Sequence, residues 1–214
     1  YYIMRLHFFL YTICLIFFSC NSKDQSQVFS DNKAKWIQVE KDLPEKDSLF
    51  YQDDPSPIFR KKIIINKKIK DAKLYITSAG YNAVFINDKR VGKNILDPAW
   101  TDFSKRIYYT EYDVADLLTQ EHNVVNVMLG NGFYNPLPLK MWGWLNLRNE
   151  LNVGKPKFIL KLIITYIDGN KDEIVSDSSW KYSFGPIVRN SVYLGSHYDA
   201  RNEIVGWQSS NFDD

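Results

Sequence analysis

The chain has 214 residues, with 27 Lys and Arg against 25 Asp and Glu, and a formal net charge of +2 at pH 7. That near-balance, with basic residues scattered rather than clustered, excludes the basic footprint of a nucleic-acid binder, and the length suits one packed domain. The two cysteines, Cys14 and Cys20, both lie near the N-terminus, so no disulfide is available beyond them and a packed core has to hold the remainder.

The first 20 residues read as an export signal. Met4 is the natural start, Arg5 supplies a basic n-region, and 6–18 is an apolar run interrupted only by His7 and Thr12. Such a run is short for a bilayer span but suits the h-region of a signal peptide. It ends at Ser19-Cys20 and is followed by the polar stretch 21–27. This junction resembles a bacterial lipobox, with Phe18 a loose match. Residues 1–20 are thus expected to be a lipoprotein signal peptide with lipidation at Cys20; a retained hydrophobic anchor or ordinary cleavage is the alternative. Membrane attachment would be through acyl chains alone, each buried methylene contributing about 0.8 kcal/mol. The expected location is the bacterial cell envelope, periplasm or outer-membrane surface.

Residues 21–57 are rich in Lys, Asp, Glu and Ser and broken by Pro44, Pro55 and Pro57. Trp36-Ile37 and Leu49-Phe50-Tyr51 are apolar enough to dock on a neighbouring surface, so this stretch is expected to be a partly ordered N-terminal arm. From residue 59 the pattern changes. The runs 59–65, 72–77, 83–86, 107–112, 124–129, 158–167 and 180–184 favour β-branched and aromatic residues, as strands do. Turn signals separate them at Asn87-Asp88, Asp97-Pro98, Asp168-Gly169-Asn170 and Gly185-Pro186, and 167–171 reads as a hairpin. Only 114–120 looks helical, for a turn or two. Many short strands without a long amphipathic helix predict an all-β, antiparallel sandwich.

Several ordered motifs narrow this further. They are 80–92, from Gly80-Tyr81-Asn82 to Asn87-Asp88 and Gly92; Leu96-Asp97-Pro98-Ala99-Trp100-Thr101-Asp102; Tyr112-Asp113-Val114; Gly130-Asn131-Gly132-Phe133-Tyr134-Asn135; Gly185-Pro186-Ile187; Gly195-Ser196-His197-Tyr198-Asp199-Ala200-Arg201; and Gly206-Trp207. In order and spacing they resemble the N-terminal β-sandwich module of bacterial α-L-rhamnosidases, glycoside hydrolases of family 78 type, over 58–207. The resemblance implies a jelly-roll sandwich of the galactose-binding type. It also implies that 203–207 is a closing strand and that 208–214 begins a linker to downstream domains, a further β-domain and an α/α barrel that carries the catalytic carboxylates. The chain is then expected to be an accessory module or fragment, inactive by itself, of an enzyme that removes terminal α-L-rhamnose from glycans by an inverting mechanism. The alternative is a stand-alone carbohydrate-binding surface lipoprotein without catalysis.

Glycoside hydrolysis needs two carboxyl groups flanking the scissile bond, and the sequence nominates no such pair. His197, Asp199, Arg201 and Glu203 would share one face if 197–203 were a strand; the expectation is a salt-bridged face rather than a reactive site. Among 96–102, Asp97-Pro98 reads as a turn, Trp100 as a core residue, and Thr101 or Asp102 as a cap. His7, His122 and His197 have no metal-ligand spacing. The best binding candidate is the loop 130–149, where Phe133, Tyr134, Trp142 and Trp144 stand among Asn131, Asn135, Asn146 and Arg148 with glycines at 130, 132 and 143. Aromatic faces and amides are what sugar recognition uses. The candidate carbohydrate residues are therefore Asn82, Asn131, Phe133, Tyr134, Asn135, Trp142 and Trp144, for a rhamnose-containing glycan; the same aromatics could instead pack on downstream domains. The resemblance further implies a calcium ion at Asn82, Asn131 and the Pro136 carbonyl. No Asp adjoins Asn82, although calcium favours carboxylate charge.

Overall fold

The computed structural model describes residues 28–213; the expected signal peptide and Cys20 lie outside the described residues. The chain divides into two units, Tyr1–Asp31 and Asn32–Asp214. Of the first, 28–31 form a turn. The second carries all the strands among the described residues.

Strand pairing is antiparallel throughout. In the first sheet β3 (Ile69–Ala79) lies between β10 (Lys157–Tyr166) and β6 (Thr110–Asp113). Two short strands share the other edge of β10: β1 (Ile37–Gln38) pairs with Lys157 and Phe158, and β11 (Lys171–Val175) with the stretch from Lys161 to Thr165. The second sheet runs β12 (Lys181–Phe184), β2 (Pro57–Ile65), β7 (Glu121–Gly130), β4 (Tyr81–Ile86), β5 (Lys89–Arg90). From β2 to β4 and again from β6 to β10 the chain crosses between sheets, which gives the expected jelly-roll sandwich. Two ribbons lie outside the sheets: β8 (Lys140–Met141) with β9 (Leu145–Asn146), and β13 (Ile187–Ser191) with β14 (Gly195–Tyr198).

Alternation builds the core. Leu74, Ile76, Phe158, Leu160, Leu162 and Ile164 of the first sheet face Phe59, Val84, Ile86, Val125, Val127 and Leu129 of the second, and all are buried. Phe59 meets Phe158 edge-on at 5.2 Å, and Trp180 closes on Phe158 at 5.4 Å while its indole N–H donates to the Val175 carbonyl at 2.8 Å. The β4–β5 turn puts Asn87 and Asp88 at φ 48° and 66°, a left-handed pair that Asn and Asp tolerate well. Residues 114–120 hold one 3-10 turn, Ala115–Leu117.

The arm docks as apolar residues do. Ile37 packs on the main core, and Phe50, on the 3-10 turn Asp47–Tyr51, is buried against Leu137 and Leu139. Three expectations need correction. Trp100 does not fill the core: it is 52% exposed, because the segment 98–101 runs outside both sheets. Residues 203–207 are not a closing strand but turns. The 197–203 face does not form, because β14 stops at Tyr198 and Asp199 caps the 3-10 turn Ala200–Asn202 by accepting from the Arg201 amide.

Candidate functional site

The site grows from a close approach between two connections. Gly80, at φ 101°, turns the chain from β3 into β4, and a Cβ there would run into the Gly130 carbonyl oxygen. Gly132, at φ 51°, stacks back on Gly80. Both positions require glycine, one for conformation and contact together. The turn after β7 is then closed by the Asn131 carbonyl, which accepts from the Tyr134 and Asn135 amides at 3.2 and 3.1 Å.

Carboxamides fix this turn. Asn190 on β13 accepts from the Asn131 backbone N–H through Oδ1 at 2.7 Å, and its carbonyl accepts from Asn131 Nδ2 at 2.9 Å. Asn135 Nδ2 donates to Asn131 Oδ1 at 3.1 Å. Asn82 donates through Nδ2 to Ser78 Oγ at 3.0 Å and to the Asp97 carbonyl at 3.1 Å, and its backbone N–H meets the same carbonyl at 2.8 Å. Asn82, Asn131 and Asn135 are all buried. These amides, expected to meet sugar, are thus spent on holding the loops, as buried polar groups must be. The three residues proposed for calcium fit the ion poorly. None brings a carboxylate, Asn131 Oδ1 is already occupied, and the nearby Asp97 carboxylate accepts from Thr110 Oγ1 at 2.8 Å and the Tyr112 hydroxyl at 2.9 Å. Pro136 is buried. Among the described residues no group of three or more His, Cys, Asp or Glu could hold a metal.

The aromatic candidates separate into three environments. Tyr134 is buried, with Phe103 edge-on at 5.1 Å and Lys157 Nζ 5.7 Å from its ring centre, so its faces are taken. Trp142 and Trp144 stand on the tip of the β8–β9 hairpin at 75% and 78% exposure. Trp142 holds φ 51° and Gly143 φ 80°; the left-handed region costs a bulky residue roughly 1–2 kcal/mol. Two contacts with the arm brace the hairpin base: Asn146 Nδ2 donates to Asp47 Oδ2 at 3.2 Å, and the Arg148 guanidinium lies 4.5 Å over the Phe50 ring.

Phe133 is the centre of the third environment. Trp100 lies at 5.2 Å on one side and Tyr193 at 6.0 Å on the other, ring centre to ring centre. Trp100 and Tyr193 are each about half exposed, at 52% and 51%. Three separate connections (96–101, 131–136 and the β13–β14 turn) therefore bring together one aromatic row, with Trp100 and Tyr193 half exposed about a partly buried Phe133. Trp100 and Tyr193 were not among the candidates read from the sequence. The available signal was Val192-Tyr193-Leu194, three apolar residues together at a hairpin tip, all exposed.

The polar set at 197–203 is paired internally. Asp199 receives Arg201 Nε and Nη2 at 2.8 and 2.6 Å, and this guanidinium holds its carboxyl down at about 2. His197 lies against Arg189 Nη2, and the Tyr198 hydroxyl donates to Glu203. A carboxylate so held is a poor proton donor near neutrality. The arrangement offers aromatic binding surface rather than an acid–base pair.

Comparison with known proteins shows the family. Residues 67–214 match the model of the α-L-rhamnosidase N-terminal domain. The chain is 36% identical over 198 residues to an α-L-rhamnosidase of Formosa agariphila, an alignment that covers 85% of this chain and 20% of that one. In structure it is similar to the Streptomyces avermitilis α-L-rhamnosidase complexed with L-rhamnose, with a TM-score of 0.68, 32% identity, and coverage of 76% and 15% of the two chains. The Aspergillus terreus α-L-rhamnosidase superposes with a TM-score of 0.72 at 31% identity, over 83% of this chain and 20% of that one. The chain thus spans 15 to 20% of the length of these relatives.

Proposed function

Since the chain belongs to the α-L-rhamnosidase N-terminal domain family, we propose that it is the accessory module of an enzyme that hydrolyses terminal α-L-rhamnose from glycans. The catalytic acid and base of that enzyme lie outside this module. The module's part is to hold the glycan, and the observation that carries this reading is the row Trp100, Phe133, Tyr193, whose two outer rings are half exposed. The apolar face of a deoxy-pyranose packs on such rings, and hydroxyls reach polar groups at the rim. Trp142 and Trp144, held out on a strained turn, offer further faces for the same glycan. Binding is independent of calcium, because Asn82, Asn131 and Pro136 bring no carboxylate charge and Asn131 Oδ1 already accepts from Asn135 Nδ2. Delivery to the bacterial envelope, with a lipid anchor at Cys20, completes the proposal.

Titration of the 21–214 chain with L-rhamnose and a rhamnosylated oligosaccharide, with and without a chelator, tests it. A few hydroxyl pairs and one or two stacked rings leave roughly 4 to 8 kcal/mol after ordering costs, which corresponds to millimolar to micromolar dissociation constants. Saturable binding unaffected by the chelator is expected. A flat trace with both ligands removes the glycan-holding role, and loss of binding on chelation removes the calcium-independent site.

A further inference from the structure

The outer face of the second sheet carries a cross-strand row that no sugar reading uses. Arg60 on β2 pairs in register with Asn126 on β7, which pairs with Phe85 on β4. Their neighbours Phe59, Val127 and Val84 point into the core, so alternation turns all three of the row outward. Yet Arg60 is only 5% exposed and Asn126 is fully buried. What covers them is the segment 204–212. Arg60 Nε donates to the Trp207 carbonyl at 2.9 Å and Nη2 to the Ser209 carbonyl at 2.5 Å. Asn126 Nδ2 approaches the Gln208 carbonyl at 3.5 Å, between those two. The Trp207 ring meets Phe85 edge-on at 5.8 Å, and the Arg60 guanidinium lies 5.2 Å from the centre of the Phe212 ring.

Three consecutive carbonyls and two rings of one segment thus meet three adjacent residues of one sheet face. The segment does not lie flush. A cleft of about 250 Å³ opens between Ile58, Arg60, Lys181 and Tyr182 below and Ile204, Trp207 and Phe212 above. A void forfeits dispersion contacts along its walls, so continuous packing is not what holds the segment down. We infer that the Arg60–Asn126–Phe85 row is a clamp that seats residues 207–212 on the outer sheet face and so fixes the path by which the polypeptide leaves the sandwich. The consequence for an enzyme with downstream domains rests on the family reading; the clamp itself does not.

Arginine suits this task and lysine does not. Its fork reaches two carbonyls at once while its flat face lies over a ring, whereas an ammonium offers one compact charge on a flexible stem. Arg60 is thus a positioning residue, and conservative replacement is expected to fail.

Amide hydrogen exchange reads the clamp directly. The Trp207, Ser209 and Phe212 amides bond to the Ile204, Gly206 and Ser209 carbonyls within the segment, so their protection reports whether it stays seated. In Arg60→Met these three amides are expected to exchange on the order of tenfold faster, while Val125 and Val127 in the sheet keep their protection, as in local opening. Arg60→Lys should restore little of it. Wild-type exchange at all three amides in a folded Arg60→Met chain overturns the clamp. Should that variant fail to fold, Phe85→Ala, which removes only the ring under Trp207, reads the same amides, and unchanged exchange there overturns it equally. Rhamnose titration of the same variants keeps the two readings apart: lost segment protection with intact sugar binding supports the clamp alone.

Discussion

The Trp100 ring lies 5.2 Å from the Phe133 ring, centre to centre, with the planes at 44°. The two belong to different connections, and a third relationship holds them together. Asn82 on β4 bridges to Asp97, just before Trp100, while the end of β7 beside β4 leads into the turn that carries Phe133. A rigid sheet therefore positions a half-exposed ring against a partly buried one through short tethers, the arrangement a binding surface needs.

Trp100→Ala should weaken rhamnose binding by about 1 to 3 kcal/mol, since a stacking ring at the centre of a site carries much of its affinity. The fold should hardly notice, because a half-exposed residue outside the sheets has little buried area to lose. Titration together with thermal melting checks both halves. A large fall in melting temperature would show that Trp100 is structural instead.

Asn190→Ala should cost stability. It removes the Oδ1 that accepts from the Asn131 amide and the Nδ2 that donates to Ser56 Oγ at 2.9 Å, and both partners are buried. Each orphaned group costs about 1 to 3 kcal/mol. Urea midpoints measure the loss, and rhamnose binding should fall with it because Asn131 sets the turn that carries Phe133. A midpoint within experimental error of wild type would contradict this.

The sandwich was largely legible because Phe59, Val127 and Leu160 sit in the β-branched and aromatic runs that strands favour. The ribbons were harder: β8–β9 and β13–β14 join neither sheet, and only the latter strands have enough residues for a pattern. The site was half legible. Phe133 is partly exposed, and Trp142 and Trp144 are surface aromatics. Tyr134 is not, because Phe103 folds over it from a distant loop, and no local pattern reports that. Trp100 reads as a core residue in the sequence, and the position of its segment outside the sheets is a tertiary fact. The residues 197–203 alternate in chemistry, but Asp199 satisfies the Arg201 amide and turns the chain off the strand, the usual competition of a short acidic side chain with a ladder.

The chain by itself should release no p-nitrophenol from the α-L-rhamnoside above the uncatalysed rate. Inverting hydrolysis needs an acid and a base about 6.5 to 9.5 Å apart with a water between them, and two carboxylates of the candidate segments, Asp97 and Asp199, are each engaged by two donor groups. Measurable turnover that survives repurification would place catalysis inside the sandwich and remove the accessory-module reading.

Stability should depend on pH through Asp54, which ties the arm to the sandwich. Its carboxylate accepts from Lys155 Nζ at 2.6 Å and from Lys41 Nζ at 3.1 Å. Burial pushes its pKa up, but Lys155 and then Lys41 outweigh that and hold it below the usual carboxylate value. The sign follows from linkage: a group depressed in the folded state contributes stability that is fully present above its unfolded pKa, about 3.9 for Asp, and is lost as pH falls through the folded value. Wild type should therefore lose stability on acidification below about pH 4, and Asp54→Asn should flatten that part of the curve while being less stable at pH 7. Lys155→Met should be worse than Lys41→Met, because the Lys155 side chain is 10% exposed and that of Lys41 53%, and screening by water weakens the more exposed pair. Urea midpoints between pH 3 and 7 for the four proteins decide it. Parallel curves for wild type and Asp54→Asn would show that this ion pair does not hold the arm.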